Sequence, residues 1–287
     1  MEVNLETFQF FSFLYEQAGR ERRVKREERS AQREWSVERQ SVGASNQRST
    51  LQALTLRRST LHVPLPPGRR VRAITFDVGG TLIKPWPSVG HIYSQVAARH
   101  GFPGLSVATL NRQFIAAWGA AKEFDYSHLA WAQLVDETFR GLTDKPPSRT
   151  FFAKLHSRFA QPEAWRVFED VVPTLETLTS RGIKLGVISN WDERLRPLLG
   201  RLNLHDYFEA IVVSCEVSFT KPSPVIFELA AEKLAVPPEA VLHVGDSPAN
   251  DVEGARAAGL EAVQLQRGAS KATGGMNSLH QLYEVGR

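Results

Sequence analysis

VRAITFDVGGTL, residues 71–82, decides the architecture of this chain. Val71, Ala73, Ile74 and Phe76 make a short apolar run that predicts a buried strand over 70–77, and the run delivers Asp77 to the strand's carboxyl end. The loop that follows at once, Gly79-Gly80-Thr81, lets the backbone lie close to a ligand. In an open α/β sheet, ligands bind in the crevice beyond the carboxyl ends of the strands, so an acid in this position is a functional candidate. The plainer reading is an acidic turn residue.

Outward from this stretch the rhythm of the chain divides. Toward the C-terminus, from Val171, short apolar strands alternate with helices. Strands are expected at Lys184–Ser189, Ala210–Val213, Val241–Gly245 and Glu261–Leu265, and helices at 173–181, 193–201, 224–235 and 248–258. Such alternation predicts an α/β fold, a doubly wound and mostly parallel sheet with helices on both faces, which the first strand joins. Between them, residues 85–168 read as helical throughout. Ile92, Val96 and Ala97 mark a first helix ending at Gly101, and Leu110, Phe114 and Ala117 a second. Leu129, Leu134, Val135 and Phe139 mark a third, and Phe152, Leu155 and Phe159 a fourth. The expected organisation is a core of residues 71–84 and 169–287 carrying a helical cap, residues 85–168. The aromatic stripe Phe114, Trp118, Trp131 and Phe139 reads as cap core rather than as a ligand box.

Residues 1–70 are a different material, rich in Arg, Glu, Gln and Ser and poor in apolar periodicity after Tyr15, a composition expected to be disordered or loosely helical. Residues 1–72 hold 14 Lys and Arg against 8 Glu and no Asp, which leaves 21 Lys and Arg against 23 Asp and Glu for the rest. The net charge of +4 thus belongs to the leader, and the body offers no basic, aromatic-interleaved face for nucleic acid. FQFFSFLY is too short to span a membrane and follows Glu2 and Glu6 rather than basic residues, against a secretory signal. Glutamates up to Glu38 oppose a transit peptide. Met1 and Met276 are the only methionines, so a start beside the first strand would use another codon, such as GTG at Val71; peptides from residues 1–60 of the native protein would exclude it. A lone cysteine, Cys215, forms no internal disulfide and fits a reducing compartment, so a cytoplasmic location is expected.

The polar residues at the strand ends carry the chemistry. Ser189 and Asn190 end KLGVIS, Thr220-Lys221-Pro222 enters a helix, Asp246 ends VLHVG, and Asp251 opens the next helix. Parallel strands bring their carboxyl ends to one sheet edge, where Asp77, Ser189, Lys221, Asp246 and Asp251 would converge. Three carboxylates there call for a cation, and oxygen donors without clustered His or Cys favour Mg²⁺ over zinc. A hydroxyl, an amide and an ammonium suit phosphate oxygens, leaving Asp77 as the nucleophile of an aspartyl-phosphate route.

Four motifs in order, FDVGGTL at 76–82, VISN at 187–190, TKPSPVIF at 220–227 and HVGDSPANDVEGARAAG at 243–259, make the chain from about Val71 to Arg267 resemble the haloacid dehalogenase-like hydrolases, subfamily IA. The resemblance implies a Rossmann-like core and a small phosphorylated substrate. It makes Asp77 the nucleophile and a metal ligand, and has Ser189 and Asn190, with the Gly80-Thr81 loop, hold the phosphoryl group. Lys221 would orient the nucleophile and balance charge, and Asp246 and Asp251 would bind Mg²⁺. Plainer readings stand beside these: a capped turn at Ser189-Asn190, a solvated charge at Lys221, a helix-start residue at Asp251.

One position departs from the pattern. Phosphatases of this family carry a second aspartate two residues after the nucleophile, as general acid and then base, and here that residue is Gly79. Its carbonyl still suits a metal, but it moves no proton, an assistance typically worth about 10²–10⁴-fold. Slow turnover and a preference for acyl or aryl phosphates are expected. His91, Asp192 and His243 are candidate substitutes. Two rivals remain: a catalytically weak or inactive binding protein, and a metal-independent haloacid dehalogenase. Lys122, Glu123, Asp125, Tyr126 and His128, near a helix break, are the cap's polar candidates for the cleft or a solvated turn.

Overall fold

The computed structural model describes residues 71–121, 124–269 and 275–285; the expectations for residues 1–70 and for Lys122 and Glu123 lie outside it. Five parallel strands form the central sheet: β1 (Ala73–Phe76), β4 (Lys184–Ser189), β5 (Ala210–Val213), β6 (Val241–Gly245) and β7 (Glu261–Gln264), in the order β5-β4-β1-β6-β7. The chain fills one side of β1 first (β4, then β5) and then crosses to the other (β6, then β7), so β1 sits at the centre with Phe76 opposite Val187 and Val244. All four β1 residues are buried, as a strand covered on both faces requires.

Each face of the sheet has its own helices. On one, α5 (Val171–Ser180), α6 (Leu195–Arg201) and the C-terminal turn Leu279–Glu284 pack Leu175, Leu178, Leu198 and Leu279 against Ile74, Phe76 and Val187. On the other, α8 (Pro224–Leu234) and the short α9 (Gly254–Ala257) bury Ile226, Phe227, Ala230 and Ala255 against Ala73, Ile188 and Val212. One-turn α7 (Ser214–Val217) follows β5. The helix expected over 248–258 is shorter, because residues Pro248–Glu253 form a wide π-type turn capped by Ser247, whose side chain accepts from the Asn250 N–H at 3.2 Å.

The cap is built from α1 (Val89–Arg99), α2 (Val107–Ala120), α3 (His128–Thr138) and α4 (Phe152–Arg158). Ser88, Ser106 and Ser127 start the first three, each side-chain oxygen accepting a first-turn N–H, and Gly101 takes φ +94° two residues after α1. Their apolar faces meet around Tyr93, Phe114, Phe139 and Phe151. Leu129, expected in this core, is 66% exposed in the first turn of α3.

Helix throughout 85–168 does not hold at the margins. Ile83–Pro85 (β2) and Trp165–Val167 (β3) pair antiparallel, Ile83 with Val167 and Pro85 with Trp165. Three-residue strands, one of them ending in proline, give no alternation that a sequence pattern would register. This ribbon carries the chain out to the cap and back.

Candidate active site

The carboxyl edge of β1, β4 and β6 assembles the chemistry. Asp77 leaves β1 buried, 8% exposed, and its Oδ1 accepts from Lys221 Nζ at 2.7 Å and from Ser189 Oγ at 3.2 Å. Lys221, 5% exposed, also donates to Asp251 Oδ1 at 2.6 Å. Asp251 is turned inward by the wide turn and receives the Ser247 N–H on Oδ2 at 2.9 Å and approaches His243 Nε2 at 3.2 Å. Thr75 Oγ1 meets the other ring nitrogen of His243 at 2.9 Å, so this imidazole is locked behind Asp251.

Glycines make the close approaches possible. A Cβ on Gly245 would collide with the Asp251 carboxylate, and one on Gly80, whose φ is +82°, with the Asp246 carboxylate. Asp77, Asp246 and Asp251 consequently each place a carboxylate oxygen within 4.8 Å of the others. This clustering perturbs ionisation. Burial, reinforced by the charges of Asp77 and Asp251, raises Asp246 well above the carboxylate range. Burial also raises Asp77, against the pull of Lys221. Asp251 goes the other way, since Lys221 and His243 outweigh its burial. For Lys221, burial opposes the charge, but Asp251 and Asp77 outweigh it and hold the ammonium protonated.

Asn190 is engaged more tightly than a phosphate donor need be. Its Oδ1 accepts from the Lys221 N–H at 2.7 Å and its Nδ2 donates to the Lys221 carbonyl at 3.0 Å, clamping the lysine's loop and leaving one amide hydrogen for a ligand. Thr81 is not in the cavity wall. It is fully buried, and its carbonyl accepts from Arg267 Nε at 3.0 Å and from a second guanidinium nitrogen at 2.7 Å, with Arg267 in turn paired to Asp170 at 2.9 Å. Arg267 and Asp170 thereby fasten the loop after Asp77 to the base of α5, a role no local motif announces.

None of the three substitute acids faces the cleft. His91 is exposed and hydrogen-bonded to Ser88, Asp192 is closed by Arg194 at 2.8 Å, and His243 is walled in as described. At Gly79 the neighbour is Trp191, whose ring lies 3.3 Å from where a Cβ would stand. Ser214 fixes Trp191, accepting its N–H and donating to its carbonyl, both at 3.0 Å.

Above the acids opens a cavity of about 260 Å³ lined by Asp77, Gly79, Gly80, Ser189, Asn190, Lys221, Asp246 and Asp251 below and by cap side chains above. Phe139 of the expected aromatic core is buried, but Trp118 and Trp131 stand in the cavity wall, as does Tyr126. Asp125 is exposed and accepts the Ser127 N–H at 2.9 Å, while the His128 ring rests 4.7 Å from that of His156.

A family model for haloacid dehalogenase-like hydrolases matches residues 71–259. The chain belongs to this family. Among curated relatives, haloacid dehalogenase-like hydrolase domain-containing protein 3 of Danio rerio is 35% identical over 69% of this chain and 86% of its own length. A phosphoglycolate phosphatase of Shigella boydii is 29% identical over 69% of this chain and 82% of its own. In three dimensions the HAD-hydrolase YfnB of Bacillus subtilis, solved bound to magnesium, overlays with a TM-score of 0.62 at 18% identity, covering 76% of this chain and 99% of that one, which establishes the common α/β core with its cap. Among the described residues no helix is long and apolar enough to cross a membrane.

Proposed function

We propose that this hydrolase cleaves small phosphate monoesters or acyl phosphates through an aspartyl-phosphate on Asp77. The observation that carries the reading is the buried constellation in which one ammonium, Lys221, bridges two of three clustered carboxylates. Three acids against one lysine leave a negative surplus that fits a divalent cation. Their hard oxygen donors, with no Cys among them, suit Mg²⁺, held by Asp77, Asp246 and Asp251 with the Gly79 carbonyl as a further donor. Bound there, Mg²⁺ would neutralise charge on the phosphoryl oxygens. The magnesium-bound relative and the phosphoglycolate phosphatase are consistent with this assignment.

The chain's own groups have distinct tasks. Lys221 and Ser189 hold Asp77 by one oxygen, so the carboxylate is fixed in orientation before substrate arrives. An Asp77 oxygen forms a bond to phosphorus as the bond to the leaving oxygen breaks. Ser189 and the remaining N–H of Asn190 donate to the phosphoryl oxygens, and Lys221 offsets their charge. Water then attacks the aspartyl-phosphate and releases inorganic phosphate. With Gly79 and Trp191 where an acid would stand, protons pass to and from solvent, so good leaving groups are favoured and the second step is slow.

The test is hydrolysis of acetyl phosphate and phenyl phosphate by the purified protein in Mg²⁺, with EDTA and Asp77→Asn as controls. Loss of activity in both controls supports the reading. Haloacetate turnover that survives chelation would replace it with a dehalogenase, and cellular function without hydrolysis would replace it with a binding role.

A further inference from the structure

The cap half of the cavity is built of flat rings. Trp118 and Trp131 lie 5.7 Å apart at an interplanar angle of 21°, and Tyr126 meets each edge-on at 6.3 Å. Tyr126 holds φ +62°, a left-handed conformation that a bulky residue adopts only when its surroundings enforce it. Phe114 and Trp165 extend the same wall down toward Trp191 and the acids.

The cations near this wall are engaged. Arg194 donates to both Asp192 oxygens at 2.8 and 2.5 Å and to the His156 carbonyl at 2.8 Å. Lys84 stands in the cavity wall, with its ammonium over the Trp86 and Phe168 rings at 5.6 and 5.3 Å. His156 is half-buried, and burial together with Arg194 lowers it to about 4, so it is neutral near pH 7. The cap side of the cavity therefore presents mainly π-faces, and the lysine and arginine in its wall already face rings or a carboxylate. A carboxylate or polyol laid against those rings would lose its water without gaining partners from them.

We infer that the cap selects phosphate monoesters whose leaving group carries an aromatic ring, stacked among Trp118, Tyr126 and Trp131 while the phosphoryl group rests at Asp77. This rests on the phosphoryl reading of the lower site. The space suits it: a cavity of about 150 Å³ admits benzene, and about 260 Å³ leaves room for a phosphoryl group beside a ring.

Binding of non-hydrolysable probes tests the inference without requiring turnover. With Mg²⁺ present, benzylphosphonate, ethylphosphonate and phosphonoacetate are titrated by calorimetry. Benzylphosphonate is expected to bind about tenfold or more tighter than either of the others. Trp118→Ala is expected to bring that ratio toward one, and Trp118→Phe to retain most of it. Equal affinities, tightest binding of phosphonoacetate, or no binding of any probe would overturn the inference, and the unsubstituted protein decides this even if a variant fails to fold. The two claims fail separately. Acetyl phosphate hydrolysis without benzyl selectivity sinks only the aromatic site, and benzyl selectivity without an Asp77 phosphoryl intermediate sinks only the chemistry.

Discussion

Replacing Lys221 by methionine, similar in length and uncharged, removes the one cation that joins Asp77 to Asp251. Lys221 is 5% exposed and its two ion pairs measure 2.7 and 2.6 Å, so both carboxylates lose their partner inside the protein. Breaking a buried pair costs about 3–5 kcal/mol. For a domain of this size each kcal/mol moves Tm by roughly 2–4 °C, so a drop of about 6–20 °C is expected in EDTA. The loss depends on pH. Asp77 already titrates high because of burial, and without the ammonium it rises further. A carboxyl raised in the folded state contributes stability that is complete below its unfolded pKa and disappears as pH rises through the folded one, so the deficit should widen from pH 5 to pH 8. Mg²⁺ should restore more stability to Lys221→Met than to the parent, since a divalent ion replaces the missing charge. Melting curves by circular dichroism at the two pH values, with EDTA and with Mg²⁺, make the measurement. A variant within about 2 °C of the parent in EDTA at pH 8 would refute the reasoning, because a shift that small corresponds to no more than about 1 kcal/mol.

Gly79→Asp restores a carboxyl group, at the cost of moving the Trp191 ring, 3.3 Å from the new Cβ, by a few tenths of an ångström. Steady-state hydrolysis of alkyl phosphates should rise, by up to about 10²–10⁴-fold, and more fully in the double variant with Trp191→Ala. Unchanged rates in both would show that proton transfer at this position does not limit turnover. His156, lowered to about 4 by burial and then by Arg194, should titrate near that value in an NMR pH series. The unfolded chain takes up this proton near 6.5, so the histidine's contribution to stability is complete above 6.5 and is lost as pH falls toward about 4; a midpoint near 6.5 would contradict its placement.

The core was legible because its physics is local. Apolar runs such as AITF and KLGVIS mark strands buried on both faces, and parallel strands bring the acids that follow them to one edge whatever their separation in sequence. The wall of the cavity was not. Trp118 and Trp131 lie at helical spacings that suit a core equally well, and only the packing of four cap helices decides that they line the same cavity as Asp77. Leu129 obeys the same apolar pattern and is 66% exposed in the first turn of α3. Asn190 and Thr81 are expected as phosphate contacts from their place beside motifs. Long-range hydrogen bonds, to the Lys221 backbone and from Arg267, give each of them a structural partner that no local motif announces. The ribbon Ile83–Pro85 with Trp165–Val167 joins residues 80 or more positions apart, and three-residue strands carry no period.

The aspartyl-phosphate proposed on Asp77 can be trapped. The direct measurement is a rapid acid quench of the protein with acetyl phosphate and Mg²⁺, followed by mass spectrometry of the peptides. A phosphoryl group on the peptide containing Asp77, removed by hydroxylamine and missing from Asp77→Asn, is the predicted result. Hydrolysis that proceeds with no label on that peptide, or a label that persists in Asp77→Asn, would contradict the account.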